Sequence, residues 1–299
     1  MIDQASSPWQ RTVALAGPAI FVLLWGTGFV GAKAGLQHSE PMTFLSLRFL
    51  IVAVLMAAIA RAAGIPWPRA PGEIGHLAVL GLLMQFAYFG GCWLSIHWGV
   101  GAGISAVICA LQPVMTAVLA GPLLGERVSA RQWLGLGLGL IGVALVVSHK
   151  LGEGLGTPAA MAMSFVGAIG VTAGTLYQKR FCPTIDPRTG SAIQFIVAGL
   201  ATGLVGLATE TGGIDWHPEF FGALLYTSVF VSLISVTLLT LMIRQSEATR
   251  VASLFFLMPP AAAVVAYFYF GETITGLALV GMGVAVAGVA LAVWRPASA

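Results

Sequence analysis

Charge is the scarcest property of this sequence. Only 8% of its 299 residues are Asp, Glu, Lys or Arg, while 58% are hydrophobic. Soluble domains carry roughly 25% charged residues, so a soluble chain of this makeup would have too few polar groups to cover its own surface. Lipid removes that difficulty. Segments of about 20 apolar residues, long enough to cross a bilayer, fill almost the whole chain and leave no room for a soluble domain. A formal net charge of +3 argues against nucleic acid as a partner. The chain has no GxxxxGK[ST] loop, which excludes an ATP-driven pump in one polypeptide. It has no HExxH and no Cys/His metal spacing, so no metal and no cofactor is expected. His38, His76, His97, His149 and His217 lie near span ends or in loops, away from acid clusters. No nucleophile can be assembled with a base, so an enzyme is not expected. Cys92, Cys109 and Cys182 are an odd set without a CxxC pair and read as free thiols.

Apolar runs bounded by Gly, Pro and charges give ten segments, with ends good to about three residues. They cover 12–33, 43–62, 74–97, 101–123, 130–148, 157–178, 190–209, 219–243, 249–270 and 274–294. The first begins after Arg11 in the manner of a signal peptide. No small-residue cleavage site follows and more spans do, so it reads as a membrane helix.

The chain aligns with itself at an offset of 146 residues. Lys33 falls on Lys179, Phe49 on Phe195 and Pro113 on Pro259. Gly125-Glu126 falls on Gly271-Glu272, and Gly142–Leu145 on Gly288–Leu291. Chance can align Val, Ala and Leu, but not easily a Lys, a Pro and a Gly-Glu pair at one offset. Two five-helix repeats are therefore expected, 1–149 and 150–299, in an all-α polytopic membrane protein. Eleven of the 14 Lys and Arg residues fall on one side if the N-terminus is cytoplasmic, leaving Lys33, Arg48 and Lys150 on the other. That bias predicts both termini in the cytoplasm. Five spans are an odd number, so the second repeat enters the bilayer inverted. Inverted repeats build two alternative openings around one midplane site in many secondary transporters.

Polar residues separate the spans into two sets. The fifth and tenth are almost devoid of hydrogen-bonding side chains and carry small-residue spacings, Gly135 with Gly139 and Gly281 with Ala285, which suit close packing. These two, with the second and seventh, are expected at the lipid-facing periphery. Elsewhere polar residues recur on one helical face. The stripes are Gln85, Tyr88, Cys92 and Ser95 in the third span, and Ser105, Cys109, Gln112 and Thr116 in the fourth. The sixth carries Ser164, Thr172 and Thr175, and the eighth Ser228, Ser232 and Ser235. Each hydroxyl alone reads best as interhelical packing, worth about 0.6 kcal/mol. Their concentration in a few helices favours a polar cavity. Gln85 and Gln112 are sharper, because a buried amide without partners costs several kcal/mol. Pro113 follows Gln112 and frees a carbonyl, and Pro259 repeats the break. Two readings stand for the pair, a structural kink or a hinge for gating. Trp25, beside Gly26, Thr27 and Gly28, is either a cavity wall or a packed aromatic.

No Asp or Glu lies at the centre of any span, so a buried carboxylate relay of the kind proton-coupled carriers use is not visible. Arg48 is the one charge set inside a span. It is expected to pair with Glu40 or Glu272, or else to attract an anionic group on a substrate. His97 reads as an interfacial residue beside Trp98.

Taken together these residues resemble the drug/metabolite transporter superfamily in its ten-span EamA branch. The resemblance is carried by Leu24–Phe29, Leu47-Arg48-Phe49, Pro113, Pro259, the Gly-Glu pairs and the Gly-rich fifth and tenth spans. Within the branch the sequence most resembles the YddG-type amino-acid exporters of the bacterial inner membrane. The resemblance implies a basket of ten helices with spans 1, 3, 4, 6, 8 and 9 around a central cavity. It implies export of amino acids and related metabolites, with drugs, purines or nucleotide sugars as alternative cargo. An aromatic residue of the third span faces the cavity in those exporters, and Tyr88 matches it. Gln112 stands where that group often has Trp, a departure that implies a more polar or broader pocket. The expected substrate contacts are Trp25, Gln85, Tyr88, Gln112, Thr175 and Ser232. The expected hinges are Pro113 and Pro259, and the expected charge contact is Arg48. Facilitated export is favoured over proton antiport, and the protein is expected as a monomer or homodimer.

Overall fold

The computed structural model describes residues 8–148, 156–270 and 273–294. Lys150 of the linker, His149, Arg295 and the Gly271-Glu272 pair lie outside the described residues. Ten helices among the described residues are long and apolar enough to cross a membrane. They are α1 (Pro8–Gly35), α2 (Pro41–Ala62), α3 (Pro71–His97), α4 (Ala102–Cys109 with Gln112–Leu124) and α5 (Ala130–Val147). The second half repeats the order with α6 (Pro158–Phe181), α7 (Pro187–Thr209), α8 (Pro218–Gln245), α9 (Ala248–Ser253 with Met258–Phe270) and α10 (Gly276–Val293). Five crossings per half invert the second half relative to the first.

Sequence chemistry sets the helix ends. Pro occupies the first turn of α2, α3, α6, α7 and α8, where its missing N–H costs nothing. Pro41 and Pro187 stand 146 residues apart, so the repeat extends to helix starts. Ser129 and Gln132 form a capping box on α5, and Thr157 and Thr275 cap α6 and α10. Gly125 ends α4 at φ 72°, a left-handed position suited to glycine. The next residue, Glu126, accepts from the Ala248 and Thr249 N–H groups at 2.9 and 3.4 Å. Glu210 likewise accepts from Met42 and Thr43 N–H at 2.7 and 2.8 Å. Each carboxylate caps a helix of the opposite half, where the helix dipole favours negative charge.

Like helices of the two halves pair. The α5/α10 contact is backbone against backbone. A Cβ on Gly142 would stand 2.4 Å from Ala285 N, and one on Gly135 would stand 2.6 Å from Gly288 O. The small residues read from the sequence are what allows this approach. Outward, the same two helices expose Leu134, Ile141, Leu279 and Val286. Helices α2 and α7 pair in the same way, and Phe49 meets Phe195, its partner at the repeat offset, with ring centroids 5.6 Å apart.

Helices α1 and α6 run unbroken, whereas α3, α4, α8 and α9 are irregular at matching depths. Leu82–Gly90 in α3 and Thr227–Ser235 in α8 are both π-helical. The first piece of α4 ends at Cys109 and the second starts at Gln112, before Pro113. In α9 a 3₁₀ turn, Leu254–Leu257, precedes Met258-Pro259. Proline explains the breaks in α4 and α9, since it cannot donate to the preceding turn. Neither π segment contains proline; the first is bounded by Gly81, Gly90 and Gly91, while the second has no glycine, and π geometry is frequent at functional sites.

Candidate functional site

The π segment of α3 turns Gln85, Tyr88 and Phe89 into the protein, all of them buried. Tyr88 is the pivot of two small neighbouring recesses, each with room for about one water molecule. One is lined by Trp25 and Gly28 of α1 with Tyr88, Phe89, Cys92 and Trp93 of α3. The other is lined by Tyr88, Ala106, Cys109 and Ala110 with Phe255, Met258 and Pro259 of α9. Trp25 Nε1–H donates to Tyr88 Oη at 3.1 Å, and the two rings stack with centroids 5.9 Å apart. Phe21 and Phe255 close against Trp25 at 5.2 and 5.7 Å. Trp25 is thus both cavity wall and packed aromatic. Cys92 and Cys109 face each other with sulfurs 3.2 Å apart and remain free thiols.

Behind the first recess lies Arg48, with none of its surface exposed. Its guanidinium sits 4.5 Å from the Phe89 ring centroid and 5.6 Å from that of Trp93. Nε donates to Ser232 Oγ at 2.8 Å, joining α2 of one half to the π segment of α8 in the other. Nη1 and Nη2 are buried with no hydrogen-bond partner among the described residues. The expected pairing with Glu40 does not occur. Glu40 Oε2 instead accepts from Thr211 N–H and hydroxyl at 2.8 and 2.7 Å and from Gly212 N–H at 3.2 Å. Those bonds, the Thr211 hydroxyl first, hold the Glu40 carboxyl below its ordinary range. The reason is geometric: Glu40 precedes the first turn of α2 and turns to the loop after α7, while Arg48 points into the helix bundle. The other expected partner, Glu272, lies outside the described residues.

Gln85 and Gln112 are fully buried, and the Oε1 atom of each has no hydrogen-bond partner among the described residues. Gln112 Nε2 donates to Thr116 Oγ1 at 3.3 Å, so the fourth-span stripe is real along one helix face. Other stripe residues are spent on packing. Ser164 meets Ser95 and Ser105 at 2.7 and 2.9 Å, knotting α3, α4 and α6. Thr172 and Thr175 donate to carbonyls of their own helix, Ala168 and Val171, at 2.6 and 2.8 Å. The Thr175 hydroxyl is therefore engaged, and Thr175 lines neither recess. Ser228 and Ser235 are buried hydroxyls without partners, on either side of Ser232. The structure thus brings together Trp25, Tyr88 and Pro259 around the recesses, and Arg48 with Ser232 beside them. Phe89 and Phe255 complete the walls and were not singled out from the sequence, because a Phe within an apolar run carries no mark of which way it faces.

Comparison with known proteins bears on what such a site serves. The EamA-like transporter family matches twice, at residues 13–148 and 158–294. A Salmonella typhimurium protein named "Probable amino-acid metabolite efflux pump" is 26% identical over 90% of this chain and 91% of its own. A Streptantibioticus cattleyicolor protein named "Probable terminal-alkyne amino-acid exporter" is 29% identical over 90% of each. One crystal structure superposes with a TM-score of 0.82 at 16% identity, covering 94% of this chain and 96% of the other, a likeness of fold.

Proposed function

Because this chain belongs to the EamA-like transporter family, it is a multi-pass membrane transporter and not an enzyme, and we propose that it exports amino acids and related small metabolites by alternating access. The observation that carries the choice of cargo is Arg48. A buried charge is costly unless paired, yet two guanidinium nitrogens here have ring faces beside them but no hydrogen-bond partner among the described residues. Guanidinium is the side chain best shaped to hold a carboxylate through two parallel bonds. Gln85 and Gln112 supply the opposite character, two buried carbonyl oxygens without donors, suited to an ammonium group. Donors for an anion and acceptors for a cation are what a zwitterion with a neutral side chain requires. Arg48, Gln85 and Gln112 line neither recess in this state, so the path must open to bring them to the cargo. The names of the two exporters matched above support the same cargo.

Movement would come from the irregular helices. The Pro113 and Pro259 breaks and the two π segments lie at equivalent depths in both halves, so bending one set opens one end of the path and bending the other set opens the opposite end. The charge bias supports an orientation in a bacterial inner membrane with both termini on the cytoplasmic side. With no carboxylate in mid-membrane, facilitated export down a gradient is the favoured coupling.

Counterflow in liposomes is the test. Purified protein, loaded with an unlabelled neutral amino acid, should accelerate entry of the labelled one. Exchange of purines, nucleotide sugars or cationic drugs without exchange of any amino acid would overturn the reading.

A further inference from the structure

Outside the helix bundle, the loop after α1 meets the segment that leads into α8. Asp215 N–H donates to His38 O at 2.8 Å, and Ser39 pairs with Ile214 in a single antiparallel bridge. This contact brings His38, His217 and Glu219 together, with one ligand-capable atom from each lying within 4.8 Å of the others.

The protonation pattern of His38 is fixed by its neighbours. Nδ1 lies 2.9 Å from Asp215 Oδ2, and a carboxylate only accepts, so Nδ1 carries a proton. Nε2 then presents a lone pair in the neutral ring. That atom is buried, has no hydrogen-bond partner among the described residues, and faces Glu219 Oε2 at 3.5 Å. A positive charge belongs between Nε2 and Glu219, and a proton, which Asp215 and Glu219 favour by raising the His38 pKa, competes with a metal ion for that place. The His217 ring stacks on His38 with centroids 4.8 Å apart and planes 10° from parallel. Its Nδ1 accepts a long bond from Glu219 N–H at 3.3 Å.

We propose that His38 Nε2, His217 and Glu219 form a binding site for a divalent transition-metal ion of the zinc class, on the side of the membrane that the charge bias assigns to the exterior. Two imidazoles and one carboxylate are a zinc donor set that leaves a fourth position for water. Ligands at about 2.0–2.1 Å from a tetrahedral ion stand about 3.4 Å apart. His38 Nε2 and Glu219 Oε2 already have that separation, and His217 closes the remainder by turning its exposed ring. Asp215 supplies the outer support that metal-ligating histidines generally have, a carboxylate on the second ring nitrogen. The ion would staple the α1–α2 loop of the first half to the α7–α8 loop of the second.

Zn²⁺ titrated into the purified full-length protein by calorimetry should bind saturably at one site and raise the thermal unfolding temperature. Co²⁺ in its place should show the visible absorption of a four-coordinate ion. His38→Gln and His217→Gln should each weaken Zn²⁺ binding at least tenfold, and Asp215→Asn by about tenfold or more. Glu219→Gln, at a partly exposed position that cannot disturb the bundle, should do the same while the metal-free unfolding temperature stays put. Absence of saturable binding would overturn the proposal, and so would equal affinity in the wild type and all four variants. None of these readouts involves flux, so they stand or fall apart from the transport reading.

Discussion

Arg48 is the residue on which sequence and structure differ most usefully. Its depth within a span was legible, because a lone charge in an apolar run is conspicuous. Its neighbours were not, since Ser232 is 184 positions away and a sequence records no such proximity. The nearest acid in the chain was the natural candidate, and Glu40 proves to be engaged with Thr211 and Gly212. If Arg48 is kept for cargo and not for the fold, stability and transport should separate. Replacing a buried ionic group by an apolar one of similar volume is often neutral or stabilising by about 1–4 kcal/mol. Arg48→Met should therefore unfold at the same or a higher temperature and lose at least tenfold in counterflow. Arg48→Lys keeps the charge but not the two-pronged donor, and should also fall at least tenfold. Wild-type protein should prefer an amino acid to its amide, and Arg48→Gln should not. A variant that unfolds early, or keeps that preference, would show that Arg48 is structural.

At the scale of the helix, the ten spans and their ends were largely readable, since hydropathy, Pro at the first turn and Gly at the last are local signals. The breaks at Pro113 and Pro259 were readable for the same reason. The π segments of α3 and α8 were not, because nothing in Leu82–Gly90 or Thr227–Ser235 differs in composition from an ordinary span. Helix α5 allows a direct test of close packing. Gly137 and Gly142 lie in one helix, but a Cβ on Gly137 meets nothing within 4 Å, while one on Gly142 lies 2.4 Å from Ala285 N and 2.7 Å from Gly281 O. Backbone atoms cannot swing aside as a flexible side chain can. Gly142→Ala should cost about 1–3 kcal/mol, and Gly137→Ala should be neutral or gain up to about 1 kcal/mol, both measured by unfolding in detergent. The proline breaks make a different prediction. Pro113→Ala restores a backbone donor, so the protein should be at least as heat-stable while counterflow slows several-fold. Unchanged flux would leave the break as packing only.

The halves of the whole molecule are fastened at both ends of the bundle. At one end Glu126 caps α9, and Gln132 Nε2 donates to Glu247 at 3.4 Å. At the other, Glu210 caps α2, Glu40 holds the loop after α7, and Ser39 bridges Ile214. Alternating access requires these fastenings to open in turn, because a path closed at both ends carries nothing. Such cross-half contacts were beyond the sequence, although the inversion that makes them necessary follows from five spans per repeat. The inversion itself requires a reporter at position 150 and one at position 299 to lie on opposite faces of the bilayer. The exchange of fastenings can be tested at the Ser39–Ile214 bridge. Paired residues in an antiparallel bridge have Cα atoms about 4.5–5.5 Å apart, within the 4.4–6.8 Å that a disulfide spans. In a background lacking Cys92, Cys109 and Cys182, the pair Ser39→Cys and Ile214→Cys should cross-link readily under oxidant. Counterflow should then stop, and return on reduction, while each single variant transports normally with or without oxidant. Full cross-linking with undiminished flux would mean that this end never opens, and a rocking motion of the two halves would then be the wrong description of how cargo leaves.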